Sequence, residues 1–561
     1  MRLPALALVV ALSLTTLPAP AVDAQTPPAA APRLVVMLAV DQMRSDYLTM
    51  PRASWRAGLR RLLSEGAVFE RAEYPYMNTV TCAGHSTIGT GTFPRTHGMT
   101  LNGWYDRAGR ASVNCNHDPD APVISYRVAE KGAASEKAAA SEKAAASAKT
   151  GTSAKPLLAP TLADELRARH PGARVVSVSL KARSAIGLAG HGGTAITWVD
   201  DTTGAFATSR AFSPRPVAEV AEFLKRDPYT ADVDRSWTLR DPVESYYYPD
   251  ASVGGRPSGG RTGLFPHRVA GVKGPDAQFF SNWQTSPHSD AYLVRMASAL
   301  VDAYKLGQRD TTDFLGVSLS ALDLVGHGFG PESREVEDMM RRIDDTIGAL
   351  LEHLDRTVGP GNWVLGFSSD HGVAPIPLTT GAGRITTDDV RDRIEEVLIT
   401  RYGPRKEGSY VASVTFNYVY FNDGVWDRLK ADVPTYAAVE KAVLGVPGMT
   451  RLLRSDRLSD ASRDADVRAA ALSWYPGRSG DIVLVGKLNW YFGPRGDASG
   501  TTHGTWHPYD RRVPVILLGA GIRPGRYQQA ATPADIAPTL AHLIGVPLPT
   551  AQGRVLKEGV R

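Results

Sequence analysis

The sequence predicts an α/β fold: a largely parallel central sheet with helices on both faces and inserted cap regions. Three observations predict it. Uninterrupted apolar runs recur along the chain, several of them ending on an acid; helical patterns lie between them; and the stretches that break this alternation read as insertions. Unbroken apolar runs are what strands buried on both faces of a parallel sheet require.

The first run covers residues 33–41 (R-L-V-V-M-L-A-V-D), and others cover 174–181, 313–323, 363–370 and 513–519. The clearest helical pattern, 335–354, sets Val336, Met339, Met340, Ile343, Ile347, Leu350, Leu351 and Leu354 at spacings of three and four. Residues 292–304 and 533–544 carry two more such patterns. In folds of this kind ligands sit beyond the C-terminal ends of the strands, so polar residues there carry information.

Three regions interrupt the alternation. Residues 132–150 repeat A-S-E-K-A-A with nothing to bury, and read as an exposed low-complexity insertion. Residues 205–282, rich in Tyr, Pro and Gly, read as irregular surface structure. Residues 373–500, with the alternating S-Y-V-A-S-V-T-F-N-Y-V-Y-F from Ser409, read as an inserted β-containing cap that shapes access to substrate.

The chain has 561 residues, 43% hydrophobic and 22% charged, enough for a large core. The net charge of +5 comes with no Lys/Arg block interleaved with aromatics, which argues against nucleic acid as an obligate partner. Residues 1–24 have a basic start, an apolar stretch and small residues before Gln25, the pattern of a signal peptide. Residues 25–561 then form the mature catalytic domain, periplasmic or secreted. No cysteine near residue 24 offers a lipid attachment point, and no later stretch reaches the roughly 18 apolar residues of a span. A monomer without a membrane anchor is expected. Cys82 and Cys115 either pair or remain two buried thiols.

Residues 76–91 (Y-M-N-T-V-T-C-A-G-H-S-T-I-G-T-G) join an extended Thr-rich piece to a helix-compatible run. This arrangement presents a hydroxyl at a helix N-terminus, where free N–H groups and the helix dipole favour an anion. A Thr at such a place is more often a cap, so other residues must decide. Asp41 ends the first apolar run, Asp323 and His327 form D-L-V-G-H, Asp370-His371 end another run, and His503 sits in G-T-T-H-G-T. Each alone reads as a turn residue or a structural histidine. Together, three Asp and three His divide into two sites of mixed oxygen and nitrogen ligands, which suits zinc. Two metals about 4 Å apart serve phosphoryl transfer, one activating a nucleophile and the other stabilising the leaving oxygen. Thr81 would supply the hydroxyl, and the Cys82 N–H would hold a phosphoryl oxygen.

The motifs N-T-V-T-C-A-G-H, D-L-V-G-H, S-S-D-H-G and G-T-T-H-G-T, in this order, resemble the alkaline phosphatase superfamily, in its nucleotide pyrophosphatase/phosphodiesterase-like branch with a Thr nucleophile. The resemblance implies one zinc on Asp323, His327 and His503, and a second on Asp41, Thr81, Asp370 and His371. It makes Thr81 the nucleophile, with Thr79 the runner-up on spacing, and leaves His85 near the site without ligating. L-K-A-R-S is similar to the Lys/Arg pair of the PafA-type alkaline phosphatases, and Leu101-Asn102-Gly103-Trp104-Tyr105 offers the matching Asn. Lys181 and Arg183, two apart on an expected strand end, would face one side together. A phosphate monoester carries about two negative charges near neutral pH and a diester one, so Lys181, Arg183 and Asn102 favour monoesters. The expected function is an alkaline phosphatase acting on small phosphate esters through a phosphothreonine. A phosphodiesterase or nucleotide pyrophosphatase using the same metals is the alternative.

Overall fold

In the computed structural model, residues 31–126, 151–250, 254–256, 263–496 and 500–561 are described. The expected signal peptide and the 132–150 insertion lie outside them. Ten strands form the main sheet. In chain order they are β1 (Leu34–Val40), β2 (Ala67–Ala72), β3 (Val123–Ser125), β4 (Val175–Ser179), β5 (Ala195–Val199), β6 (Phe206–Ser209), β7 (Asp313–Leu319), β8 (Trp363–Ser368), β9 (Val515–Gly519) and β10 (Gly525–Ala531). They lie side by side as β10-β2-β9-β8-β1-β7-β4-β5-β6-β3. The run β8-β1-β7-β4-β5 is parallel throughout. β9 runs antiparallel to β8 and β6 antiparallel to β5.

Six helices matter for the site: α1 (Thr81–Thr90), α2 (Ala182–Ala189), α3 (Pro287–Ala303), α4 (Ala321–Phe329), α5 (Arg334–Thr357) and α6 (Ile536–Leu543). The alternation of β1 explains the two layers. Leu34, Val36, Leu38 and Val40 pack in one core with Tyr292 and Met296 of α3 and Val336 and Met340 of α5. Val35, Met37 and Ala39 pack in the other with Ile88 of α1, Ile186 of α2 and Ile536 of α6. Each such side chain contributes about 1.5–3 kcal/mol by burial, so β1 needs apolar residues at every position.

Several elements differ from the sequence reading. The runs at 174–181 and 313–323 contain a strand, a tight turn and the start of a helix. β4 stops at Ser179 and β7 at Leu319, so Lys181 is the N-cap of α2 and Asp323 lies in the first turn of α4. A short apolar run does not distinguish strand from buried helix, and here it covered both. β9 is antiparallel because burial on both faces gives the same unbroken pattern whichever way a strand points. Residues 205–282 are not merely irregular surface: they supply β6, and the rings of Tyr229, Trp283 and Tyr292 pack around Phe206 at 5.3, 6.3 and 5.7 Å. Those contacts join distant residues and leave no period to read.

Within 373–500, Val411–Thr415, Tyr418–Phe421, Ile482–Gly486 and Met449–Arg454 form a separate four-stranded sheet. Its core includes Val390, Ile394 and Leu398 from one helix and Val439 and Val443 from another. Among the described residues no helix is long and apolar enough to cross a membrane.

Candidate active site

The predicted site residues converge at the C-terminal edge of the parallel strands. Asp41 follows β1 directly, Asp370 and His371 follow β8, and Asp323 and His327 lie on α4 just after β7. Thr81 opens α1. All ten residues of α1 are buried, and small ones let it sit deep. A Cβ on Gly84 would lie 2.5 Å from the Asp370 Cβ, and one on Gly89 would meet the Gly187 carbonyl of α2 at 2.1 Å.

Thr81 is not a cap. The N-cap of α1 is Val80, which makes no side-chain capping bond. The Thr81 hydroxyl lies 3.3 Å from His371 Nε2. Thr79, the alternative, donates its hydroxyl to the Thr505 carbonyl at 2.9 Å and turns away. Asn102 Oδ1 accepts the Cys82 N–H at 2.8 Å, and Cys115 N–H donates to the Asn102 carbonyl at 3.0 Å. Cys82 and Cys115 are joined in a disulfide, which settles the open alternative and closes a ring around Asn102.

The three histidines share one orientation. His327 Nδ1 bonds the Thr501 carbonyl at 2.8 Å, His371 Nδ1 that of Gly372 at 2.9 Å, and His503 Nδ1 that of Thr79 at 3.1 Å. A carbonyl only accepts, so each Nδ1 carries a proton and Nε2 is the atom left for a metal. Each Nε2 faces a carboxylate; burial opposes a charged His327, yet Asp323 raises its pKa. His327 Nε2 is 3.2 Å and His503 Nε2 3.7 Å from Asp323 Oδ1, while His371 Nε2 is 3.2 Å from Asp370 Oδ2 and 3.5 Å from Asp41 Oδ1. Two metal-capable groups result, Asp323/His371/His503 and Asp41/Asp370/His371, each with its ligand atoms within 4.8 Å of one another. His371 belongs to both, and its ring stacks on His503 at 3.4 Å. His327 stands beside the first group through Asp323. His85 lies beneath, its Nδ1 3.0 Å from the Thr81 carbonyl and its Nε2 2.8 Å from Ser318 Oγ.

Charge is concentrated here. Lys181, 6% exposed, places Nζ 2.6 Å from Asp41 Oδ2 and 2.5 Å from Asp323 Oδ2, where it stands in for a cation among three buried carboxylates. Burial opposes the charged form of Asp323, yet Lys181 and His327 hold it well below the usual carboxylate range. Burial and then the neighbouring Asp370 push Asp41 well above that range. Burial lowers His503 and His371, keeping the rings neutral and able to ligate. Asp41 Oδ1 and Asp370 Oδ2 accept no well-formed hydrogen bond among the described residues. Oriented imidazoles, unspent carboxylate oxygens and a stand-in ammonium fit a pair of metal ions. Arg183 is the second residue of α2, half-buried with its Nε unpartnered among the described residues. Helix geometry replaces the strand alternation that was to bring Arg183 beside Lys181. The pair is instead presented by a helix start, where an anion is favoured.

The sequence reading missed several supporting residues. Gln42, at φ 68°, donates from Nε2 to Asp323 Oδ1 at 2.6 Å and from its backbone N–H to Asp370 Oδ1 at 3.1 Å. Its only signal was an amide next to Asp41. Asp510 accepts the Thr505 N–H and hydroxyl, fixing the loop after His503. Asp290 Oδ1 accepts the N–H groups of Ser320 and Ala321 at 3.0 and 3.2 Å, holding the start of α4. Burial pushes the Asp290 carboxyl up to about 7 against those two bonds. A raised folded-state pKa favours the protonated group, so its contribution to stability is full below the unfolded value and is lost as pH rises through about 7. Asp290→Asn keeps the acceptor and removes the titration. The unfolding free energy of the unsubstituted protein, from denaturant titration, should therefore fall relative to this variant between pH 4 and 8, by about 4 kcal/mol at most. Parallel curves would sink this reading.

The fold and the two-cluster site define an α/β protein of the alkaline-phosphatase-like class. The family model for type I phosphodiesterase / nucleotide pyrophosphatase matches residues 35–510. The chain belongs to that family. It is 30% identical to alkaline phosphatase PhoV of Synechococcus elongatus, covering 96% of this chain and 94% of the relative. It is 31% identical to alkaline phosphatase PafA of Elizabethkingia meningoseptica, covering 94% of each. The crystal structure of wild-type PafA superposes with a TM-score of 0.81 at 28% identity, over 95% of this chain and 99% of that one.

Proposed function

We propose that this protein is an exported alkaline phosphatase that hydrolyses small phosphate monoesters through a phosphothreonine on Thr81. The observation that carries the reading is the set of three histidines, each with Nδ1 tied to a carbonyl and Nε2 facing buried carboxylates, beside an uncapped Thr81 hydroxyl. The alkaline phosphatase relatives span nearly the whole chain and support it. A solved variant of PafA carries substitutions of one Thr, one Asn, one Lys and one Arg, the residue types gathered here.

Asp323, His327 and His503 would hold one zinc, and Asp41, Asp370 and His371 the other, with Thr81 alongside. Such a pair lowers the pKa of a hydroxyl and stabilises the departing oxygen. Bound metal would take up the charge of these carboxylates, and Lys181, bonded here to Asp41 and Asp323, is the ammonium that would meet the phosphate. Arg183 grips two oxygens through its planar fork. Asn102, whose Oδ1 accepts the Cys82 N–H, would offer its Nδ2 hydrogens to a further oxygen at the start of α1. The Thr81 Oγ–P bond forms as the bond to the leaving oxygen breaks; the Thr81 proton passes to solvent and the leaving group takes one back. Water then cleaves the Oγ–P bond and releases inorganic phosphate.

The test is a comparison of phosphate monoesters and diesters of one phenol with the metal-loaded chain. Monoester kcat/KM should exceed diester kcat/KM, and metal removal should abolish both. A diester preference would favour the phosphodiesterase alternative.

A further inference from the structure

A turn of the separate sheet within residues 373–500 reaches the site. Thr415 pairs with Tyr418, so Phe416 and Asn417 form a two-residue hairpin turn. Phe416 has φ 54°, and Asn417 is not in the positive-φ region. A positive φ at the first central residue alone is a place that glycine normally fills. A bulky ring held there is a genuine outlier, and such outliers mark positions chosen for what they touch.

What it touches is the active-site wall. A Cβ placed on Gly504, the residue after His503, would lie 2.5 Å from Phe416 Cζ and 3.0 Å from Val80 Cγ1. Val80 immediately precedes Thr81. Phe416 thus lies against Gly504 in the loop of one metal-capable group, and Val80, the residue before the hydroxyl, borders the same glycine. The turn is bolted in place: Asn417 Nδ2 donates to Asn78 Oδ1 at 2.8 Å, and the Asn417 carbonyl accepts the Leu484 N–H at 2.8 Å. Phe492 meets the Phe416 ring edge-on at 5.7 Å and 61°. Phe492 is buried, whereas Phe416 is partly buried, packed against the core on either side of it.

We propose that Phe416 is a specificity-determining residue: an aromatic platform for the leaving group, which favours aryl phosphates over short alkyl phosphates. This rests on the monoesterase reading above. In that reading the Asp323/His327/His503 side faces the departing oxygen, and Phe416 borders that side through Gly504. A planar leaving group gains ring contact there, worth a further factor of about ten in kcat/KM.

The experiment compares the metal-loaded full chain with its Phe416→Gly and Phe416→Leu variants, on phenyl phosphate and ethyl phosphate, with inorganic phosphate as inhibitor. Glycine suits the backbone of this turn, so Phe416→Gly should still fold, the relieved φ offsetting part of the packing lost with the ring. It should lose about 10-fold in kcat/KM on phenyl phosphate and stay within about twofold on ethyl phosphate and in phosphate inhibition. Phe416→Leu should fall between. Equal losses on both esters, or no loss on either, overturn the platform. Failure of the unsubstituted protein to cleave either ester would instead overturn the monoesterase reading, and this inference with it.

Discussion

Thr81→Ala abolishes phosphate-monoester turnover and leaves the bound metal in place: this is the largest single effect expected. The Thr81 hydroxyl bonds to His371, inside the site, across 3.3 Å, and Thr81 does not cap α1. Removing a covalent nucleophile costs on the order of 10⁴-fold or more in kcat, while the imidazoles and carboxylates that would hold metal are untouched. Turnover and metal content should therefore separate. Metal analysis of the purified variant beside a single-turnover assay checks both. Full activity in Thr81→Ala would sink the nucleophile assignment. Thr79→Ala is the control, since that hydroxyl serves the Thr505 carbonyl.

The second large effect is selective. Arg183→Ala should cost about 10- to 100-fold on monoesters and only a few-fold on diesters, because charge-assisted hydrogen bonds contribute about 1.5–3 kcal/mol and the diester carries one charge fewer. Lys181→Ala should show the same selectivity with a further consequence. In the metal-free protein it leaves Asp41 and Asp323 without their buried partner, so the stripped variant should unfold more easily than the stripped parent. Arg183 is the cleaner probe. Equal losses on the two ester classes, measured as kcat/KM ratios, would count against the charge argument.

Much of this was legible in the sequence. β1 and β8 were readable because a strand buried on both faces tolerates apolar residues only, and the acids Asp41 and Asp370 punctuate their ends. The six Asp and His side chains and Thr81 were readable because their chemistry is rare in such positions. Where strands ended was less legible. Ser179 to Lys181 and Leu319 to Asp323 change from strand to helix within a few residues, without a Gly or Pro to mark it. Gln42, Asp290 and Asp510 were invisible for another reason. Their roles exist only through partners, and a lone amide or carboxyl carries no sign of which distant N–H it will meet. Phe416 was read as one more apolar residue of an alternating strand; its strained turn became evident only with the backbone.

The order of the site residues along the chain has a consequence for how the protein comes into being. The metal-capable residues run from Asp41 to His503 in a chain of 561 residues, and each cluster joins segments far apart in the chain. Asp323 must wait for His503, and Asp41 for Asp370. During synthesis neither cluster can close until most of the polypeptide has emerged, and long-range closure of this kind is slow. Metal capture is then a finishing step and cannot seed the fold. Lys181, bonded to Asp41 and Asp323, would hold their charge while the sheet assembles, and under the proposed mechanism the same side chain would later meet the phosphate.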